Sequence, residues 1–405
     1  MFDAHKIRKD FPILERLVDG KPNVYMDTAA SAQKPLCVLD RIEKAYKEEY
    51  ANVHRGSYWL SEQATENYET ARKIAARFVN AQNKNEIIFT RSATEGINLV
   101  AATYGAKNIK AGDEVLLSVA EHHANLVTWQ QWCKKTGASL KYFDINEDGS
   151  FNVDEFSQKL SNKTKIVAVT AMSNVLGTIF PIKQMCSLAH HVGAKVLVDA
   201  CQFAVHQKID VKDMDCDFLA FSGHKVYGPT GIGILYGKHE LLNEMPPYQY
   251  GGDMIEHVSY ETTTFALPPA KFEAGTPAIV QAIGLGAALD YVMQYPFNEI
   301  ESYERDLTKY LTNEMLNIKG LKILGTAPDK GGVVSFALDN IHPQDLAFIL
   351  GKEGVAIRTG HFCAEPIVNK LGYTSLSRAS LGIYSIKEDI DIFIKALYKA
   401  KEFFV

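Results

Sequence analysis

The chain has no apolar run near the ~20 residues a membrane span needs, no Gly/Ser-rich linker, no low-complexity tract and no internal repeat. It also lacks a surplus of basic charge: 43 Lys and Arg stand against 48 Asp and Glu, for a formal net charge of -5. Each absence excludes a class of partner. Without that surplus no counterion release draws the chain to a nucleic-acid backbone or an anionic bilayer, so neither nucleic acid nor membrane is expected. The start Met1-Phe2-Asp3-Ala4-His5-Lys6 has no apolar signal-peptide core, and a cytoplasmic location is expected.

Cysteine is sparse and scattered. Six residues at 37, 133, 186, 201, 216 and 363 form no Cys-x-x-Cys and no Cys/His cluster at metal-ligand spacing, so neither a disulfide framework nor a metal site is expected. In a reducing compartment each is a thiol, and most buried thiols are inert small hydrophobes. Only local sequence can argue otherwise.

What is present is a chain of 405 residues, 46% hydrophobic and 22% charged, long enough to bury a large core. Short apolar runs alternate with helical patterns from about Tyr25 to Tyr236: Glu86 to Thr90, Asp113 to Ser118, Ile166 to Val169, Lys195 to Asp199 and Asp217 to Phe221. Runs apolar on both faces are strands of a mostly parallel central sheet flanked by helices, and the fold class is α/β. After Thr276-Pro277 the pattern becomes a long helical stretch through Tyr310, strand-like runs Val333 to Leu338 and Val355 to Arg358, and a terminal helix from Lys387 to Phe404. This predicts a smaller α+β C-terminal domain. The expected boundaries are an N-terminal segment 1–24 near the small domain, a large domain over 25–276 and the small domain over 277–405.

Ligands of such sheets bind beyond the carboxyl ends of the strands, so the polar residues after each run are the candidates for chemistry. Lys225 follows one run in Ser222-Gly223-His224-Lys225-Val226-Tyr227-Gly228-Pro229. A lysine there can form an imine with an aldehyde cofactor, although an isolated lysine is ordinarily a solvated charge. The glycines that follow do not fit Gly-x-Gly-x-x-Gly, which argues against a dinucleotide loop. Asp199 ends the apolar run Val196-Leu197-Val198 and suits a protonated pyridine nitrogen, or else caps the next helix. Gln202 follows it. In Thr90-Arg91-Ser92-Ala93-Thr94-Glu95-Gly96 a helix start offers free amides and the Thr94 hydroxyl to a phosphate, or is a plain Ser92/Glu95 capping box. His122, at a fourth strand end, can stack on a pyridine ring and pass a proton.

Strand-Asp199-x-x-Gln202, Ser222-Gly223-His224-Lys225-x-Tyr227-Gly228-Pro229-x-Gly231-x-Gly233 and Ala93-Thr94-Glu95-Gly96 resemble the fold-type I, class V aminotransferase superfamily of pyridoxal 5′-phosphate (PLP) enzymes. The resemblance runs in order over nearly the whole chain. It implies a Schiff base at Lys225, Asp199 on the ring nitrogen, Gln202 on the ring oxygen, His122 over the ring, and phosphate held by Thr94, Ser222 and His224. It further implies a homodimer in which Thr276, in Phe272-Glu273-Ala274-Gly275-Thr276-Pro277, reaches the neighbouring subunit's phosphate.

The small domain chooses the reaction. Arg358-Thr359-Gly360-His361-Phe362-Cys363 resembles the active-cysteine turn of group II (SufS-type) cysteine desulfurases of the SUF iron–sulfur assembly system. That resemblance implies conversion of L-cysteine to L-alanine with a persulfide on Cys363, then transfer to a SufE- or SufU-like acceptor. The family commonly has a second histidine where Phe362 stands here, which leaves His361 alone. By the same resemblance Arg378 holds the substrate carboxylate, Asn174 sits near ring and carboxylate, and Arg358 with the pair His54-Arg55 lines the entrance. The alternatives are a selenocysteine lyase, another class V enzyme such as a kynureninase-like hydrolase or small-substrate aminotransferase, and a non-catalytic sulfur carrier on a degenerate PLP fold.

Overall fold

The computed structural model describes residues 2–404. Seven strands form its main sheet, in the order Ile87–Thr90, Gly233–Gly237, Phe218–Ser222, Lys195–Asp199, Thr164–Thr170, Glu114–Ser118, Ser139–Phe143. Only Gly233–Gly237 runs antiparallel to its neighbours; the other pairs are parallel. Parallel strands need crossovers, the crossovers are helices, and the helices bury both faces. Val167, Ala168 and Val169 accordingly expose no surface. The α/β class read from the sequence is the one the chain adopts.

Two of these strands escaped the sequence pattern. Ser139–Phe143 is an edge strand with one fully buried residue, Phe143, so it lacks a continuous apolar run. Gly233–Gly237 is bounded by glycines that read as loop. A Cβ at Gly233 would lie 2.7 Å from the Ser92 backbone, so glycine is what lets this strand pass the helix start.

The second sheet is antiparallel, in the order Leu321–Leu324, Val333–Leu338, Leu376–Ser380, Arg358–Gly360. The terminal helix Lys387–Phe404 packs on it through Ile390, Phe393 and Leu397. The run Val355 to Arg358 divides here: Val355–Ala356 pairs in parallel with Val24–Tyr25, and Arg358 then joins the sheet beside Arg378.

The helical stretch after Thr276 is two helices, Ile279–Met293 and Phe297–Leu316, separated around Pro296. The first buries Ile283, Leu285 and Leu289 in the core of the large sheet. A Cβ at Gly286 would meet the Ala71 Cβ at 2.9 Å, so this helix lies directly against Trp59–Val79. The second turns Leu307, Leu311 and Met315 into the small core. The helix Phe297–Leu316 thus starts against the large core, with Ile300, and ends in the small one. The N-terminal segment touches both: Ile7, Phe11 and Leu14 enter the large core, Val24 and Met26 the small one.

Candidate active site

The carboxyl ends of four neighbouring parallel strands open on one cleft of about 350 Å³. Register places Thr170 beside Asp199 and Asp199 beside Ala220, so the loops after these strands begin at one level. Asp199 is 4% exposed, and its Oδ1 accepts the Cys201 amide at 3.0 Å. Gln202 donates Nε2 to the Ala29 carbonyl at 2.8 Å, while its Oε1 is buried with no partner among the described residues. The helix Ala93–Val100 starts at the cleft wall. Ser92 caps it by accepting the Glu95 amide, but the box expected there is half formed, because the Glu95 carboxylate accepts the Arg91 amide instead; the Ser222 hydroxyl accepts the Ala93 amide at 2.9 Å.

His122 caps the helix His123–Thr136, its Nδ1 accepting the Ala124 amide at 3.0 Å. Burial, then the Lys225 charge, pulls its pKa down to about 4. Burial with Lys225 and Lys34 does the same to His224, whose Nδ1 lies 3.2 Å from the Ser31 hydroxyl. Below His122, Glu121 is sealed from solvent and holds the Ser118 hydroxyl, the Asn125 amide and the Thr170 amide. Burial pushes its pKa up to about 7.

The small sheet supplies the opposite wall. Phe362 and Cys363 both adopt left-handed backbone, φ 54° and 55°, which turns the chain tightly and leaves Cys363 exposed on the cleft. Three contacts hold this turn. Asn174 Nδ2 donates to the Phe362 carbonyl at 2.6 Å, the His123 amide to the Cys363 carbonyl at 2.7 Å, and the Glu365 amide to His123 Nε2 at 3.0 Å. The Arg378 guanidinium lies 4.8 Å over the Phe362 ring and donates Nη1 to the Asn174 carbonyl at 2.8 Å. Its Nε is buried and unpartnered.

The cleft thus gathers Thr94, His122, Asn174, Asp199, Gln202, Ser222, His224, Lys225, Arg358, Cys363 and Arg378. Four expected residues stand apart from it within one chain. Thr276 lines a separate groove with Arg91, Glu95 and Tyr248. Arg55 is paired to Asp253 at 2.8 Å, with His54 beside it turned to Glu69 at 3.8 Å. His361 is not among the residues that line the cleft, whereas its neighbour Phe362 is. Sequence reading missed Asp27, the carboxylate between Arg358 and Arg378, and His123, the clamp on the cysteine turn. The His122-His123 doublet was visible, but its second member had no pattern of its own.

The aminotransferase class-V family profile matches residues 24–393. The chain belongs to that family. It is 46% identical over 403 residues to a probable cysteine desulfurase of Halalkalibacterium halodurans, covering 99% of both chains. It is 48% identical over 404 residues to one of Staphylococcus epidermidis, covering 100% of this chain and 98% of that one. Among solved structures it resembles an Escherichia coli cysteine desulfurase in its S-sulfonic acid form, with TM-score 0.93, 38% identity and full coverage of both. These relatives place the chain with the cysteine desulfurases of the class-V family, whose cofactor, PLP, is also the cofactor of this chain. The residues present fit it. A Gln202 oxygen with no partner among the described residues and the buried Asp199 carboxylate suit a ring with a hydroxyl and a protonated nitrogen, and the helix start, with Thr94 and Ser222 on the cleft wall, suits its phosphate.

Proposed function

We propose that this chain is a PLP-dependent cysteine desulfurase that converts L-cysteine to L-alanine and takes the released sulfur onto Cys363. The observation that carries the reading is that the Lys225 amine and the Cys363 thiol line one cleft from opposite bodies of the molecule. PLP bound there supplies an electron sink for the bond-breaking at the substrate's Cα. Lys225 would be its covalent anchor, Asp199 would hold a positive charge at the ring nitrogen, and Gln202 would meet the ring oxygen. Thr94, Ser222 and His224 take the phosphate.

In the substrate-bound site Arg378, with Arg358 at the rim, grips the α-carboxylate, and Asn174 keeps Arg378 oriented. The Lys225 amine, released when the substrate's amine takes its place, would remove the Cα proton and later return one. His122 is neutral at physiological pH, so it would cover the ring without adding a second cation and could relay a proton. Cys363 attacks the substrate sulfur: a sulfur–sulfur bond forms, the carbon–sulfur bond breaks with its electron pair going to the carbon side, and alanine leaves after protonation.

The exposed position of Cys363 suits hand-over to an external thiol, and we assign that role to a SufE- or SufU-like acceptor in SUF iron–sulfur assembly. We further assign a cytoplasmic homodimer in which Thr276, Arg55 and His54, outside the cleft of their own chain, serve the neighbouring one. Selenocysteine cleavage is compatible with the same cleft, because selenium is the better leaving atom. The test is mass spectrometry after adding L-cysteine. One extra sulfur on the Cys363 peptide, with alanine formed, is the expected result; unchanged alanine production by Cys363→Ser would overturn the reading.

A further inference from the structure

Glu121 is 2% exposed and lies behind the cleft lining, yet it joins the segments on which the site stands. Its Oε1 accepts the Thr170 amide at 3.1 Å and faces the Ser118 hydroxyl, and its Oε2 accepts the Asn125 side-chain amide at 2.8 Å. Ser118 ends the strand before His122, Asn125 lies in the helix that begins at His123, and Thr170 ends the strand that leads to Asn174. Thr170 is also the register partner of Asp199. Both moorings of the cysteine turn rise from these segments: the His123 amide holds the Cys363 carbonyl at 2.7 Å, and the Asn174 side chain holds the Phe362 carbonyl at 2.6 Å. One carboxyl ties the two segments together below the cleft.

The donors around it select that group. The Thr170 amide can only donate. So can Asn125 Nδ2, whose amide is fixed in orientation because Oδ1 takes the Trp129 indole N–H at 3.1 Å. A carboxyl accepts from both in either protonation state, since its proton, when present, goes to the Ser118 oxygen. A glutamine in its place sets its own NH2 against one of the two donors. A buried carboxyl is a costly way to join two strands; what it adds over an apolar residue is direction.

We propose that Glu121 is a positioning residue, which sets the His122 ring over the cofactor and holds the two moorings of Cys363 at fixed spacing beside Asp199. The proposal rests on the desulfurase reading of this cleft.

The experiment compares the PLP-loaded parent with Glu121→Gln, Asn125→Asp and the double variant, each held below its thermal midpoint. The readouts are steady-state kinetics with L-cysteine and visible circular dichroism of the bound cofactor. Glu121→Gln should lose on the order of tenfold or more in kcat, with a weaker dichroic band and little change in KM. Asn125→Asp sets two carboxyls against each other and should lose activity as well. In the double variant the exchanged groups meet again as donor and acceptor, with the new carboxylate still open to the Trp129 indole. Both readouts should then return to within about threefold of the parent. A residue that only held the fold together would move the thermal midpoint and leave kcat and dichroism where they were. Glu121→Gln within about twofold of the parent in kcat, with an unchanged band, overturns the proposal. So does a double variant that fails to fold or does no better than the single ones. A parent that forms no alanine refutes the desulfurase reading itself, a failure separate from these.

Discussion

Arg378 and Asn174 are joined by a hydrogen bond in the wall of the cleft. The guanidinium Nη1 donates to the Asn174 carbonyl at 2.8 Å, and the Asn174 side chain donates in turn to Phe362 beneath that guanidinium. Carboxylate grip and thiol placement are therefore mechanically joined. Asn174→Ala leaves the backbone bond to Arg378 and strips the buried Phe362 carbonyl of its donor. An unmet buried group costs about 1–3 kcal/mol, so kcat for L-cysteine should fall on the order of tenfold or more while KM moves less. Steady-state kinetics on the holoenzyme would show the split, and a change confined to KM would contradict it.

The two neutral imidazoles make stability acid-sensitive. Unfolded histidine takes up a proton near its usual 6.5, whereas His122 and His224 in the fold do so only near 4. The unfolded chain thus binds more protons between these values, and stability should drop as pH falls through that window. Urea melts at pH 7.5, 6 and 5 should show a shallower decline in a His122→Asn/His224→Asn double variant than in the parent.

Glu121 works in the opposite sense. Its folded pKa lies near 7 rather than the usual 4.5, so the fold keeps a proton that the unfolded chain releases, and its contribution is lost as pH rises from 4.5 to 7. Glu121→Gln has no proton to lose. Its stability should be flatter than the parent's over that interval, and a parallel pH curve would refute the assignment.

Arg72 and Glu273 form a buried pair, with the Arg72 side chain 1% exposed, Glu273 8% and a closest approach of 2.7 Å. Glu273 also accepts the Phe89 amide and the Tyr68 hydroxyl. Removing Glu273 leaves the buried Arg72 with the Glu69 carboxylate, at 3.2 Å, so the loss approaches but does not exceed the about 3–5 kcal/mol of a fully broken buried pair. Glu273→Ala should lower the thermal midpoint markedly, and Glu273→Gln, which keeps a hydrogen-bonding oxygen, by less. Differential scanning calorimetry would rank the two.

The strand ends were legible because a buried parallel strand must be apolar on both faces and must stop where polar chemistry begins. Asp199, Lys225 and His122 all follow that rule. The edge strand Ser139–Phe143 and the glycine-bounded Gly233–Gly237 were not legible, since one shows a face to water and the other is shaped by backbone contact. Nor was Asp27: its partners lie more than 300 residues along the chain, and a single carboxylate after a two-residue strand carries no periodicity. Phe362 was noticed as a departure, but that its ring becomes the seat for Arg378 follows only from the folding of the turn.

The moorings of the cysteine turn to His123 have a logistical consequence. A residue anchored on both flanks cannot ferry its load outward, so the recipient of that load must put its own nucleophile into the rim of the active site. Delivery then depends on the visitor's reach and abundance, and its rate should climb with visitor concentration instead of levelling at the pace of a swinging arm.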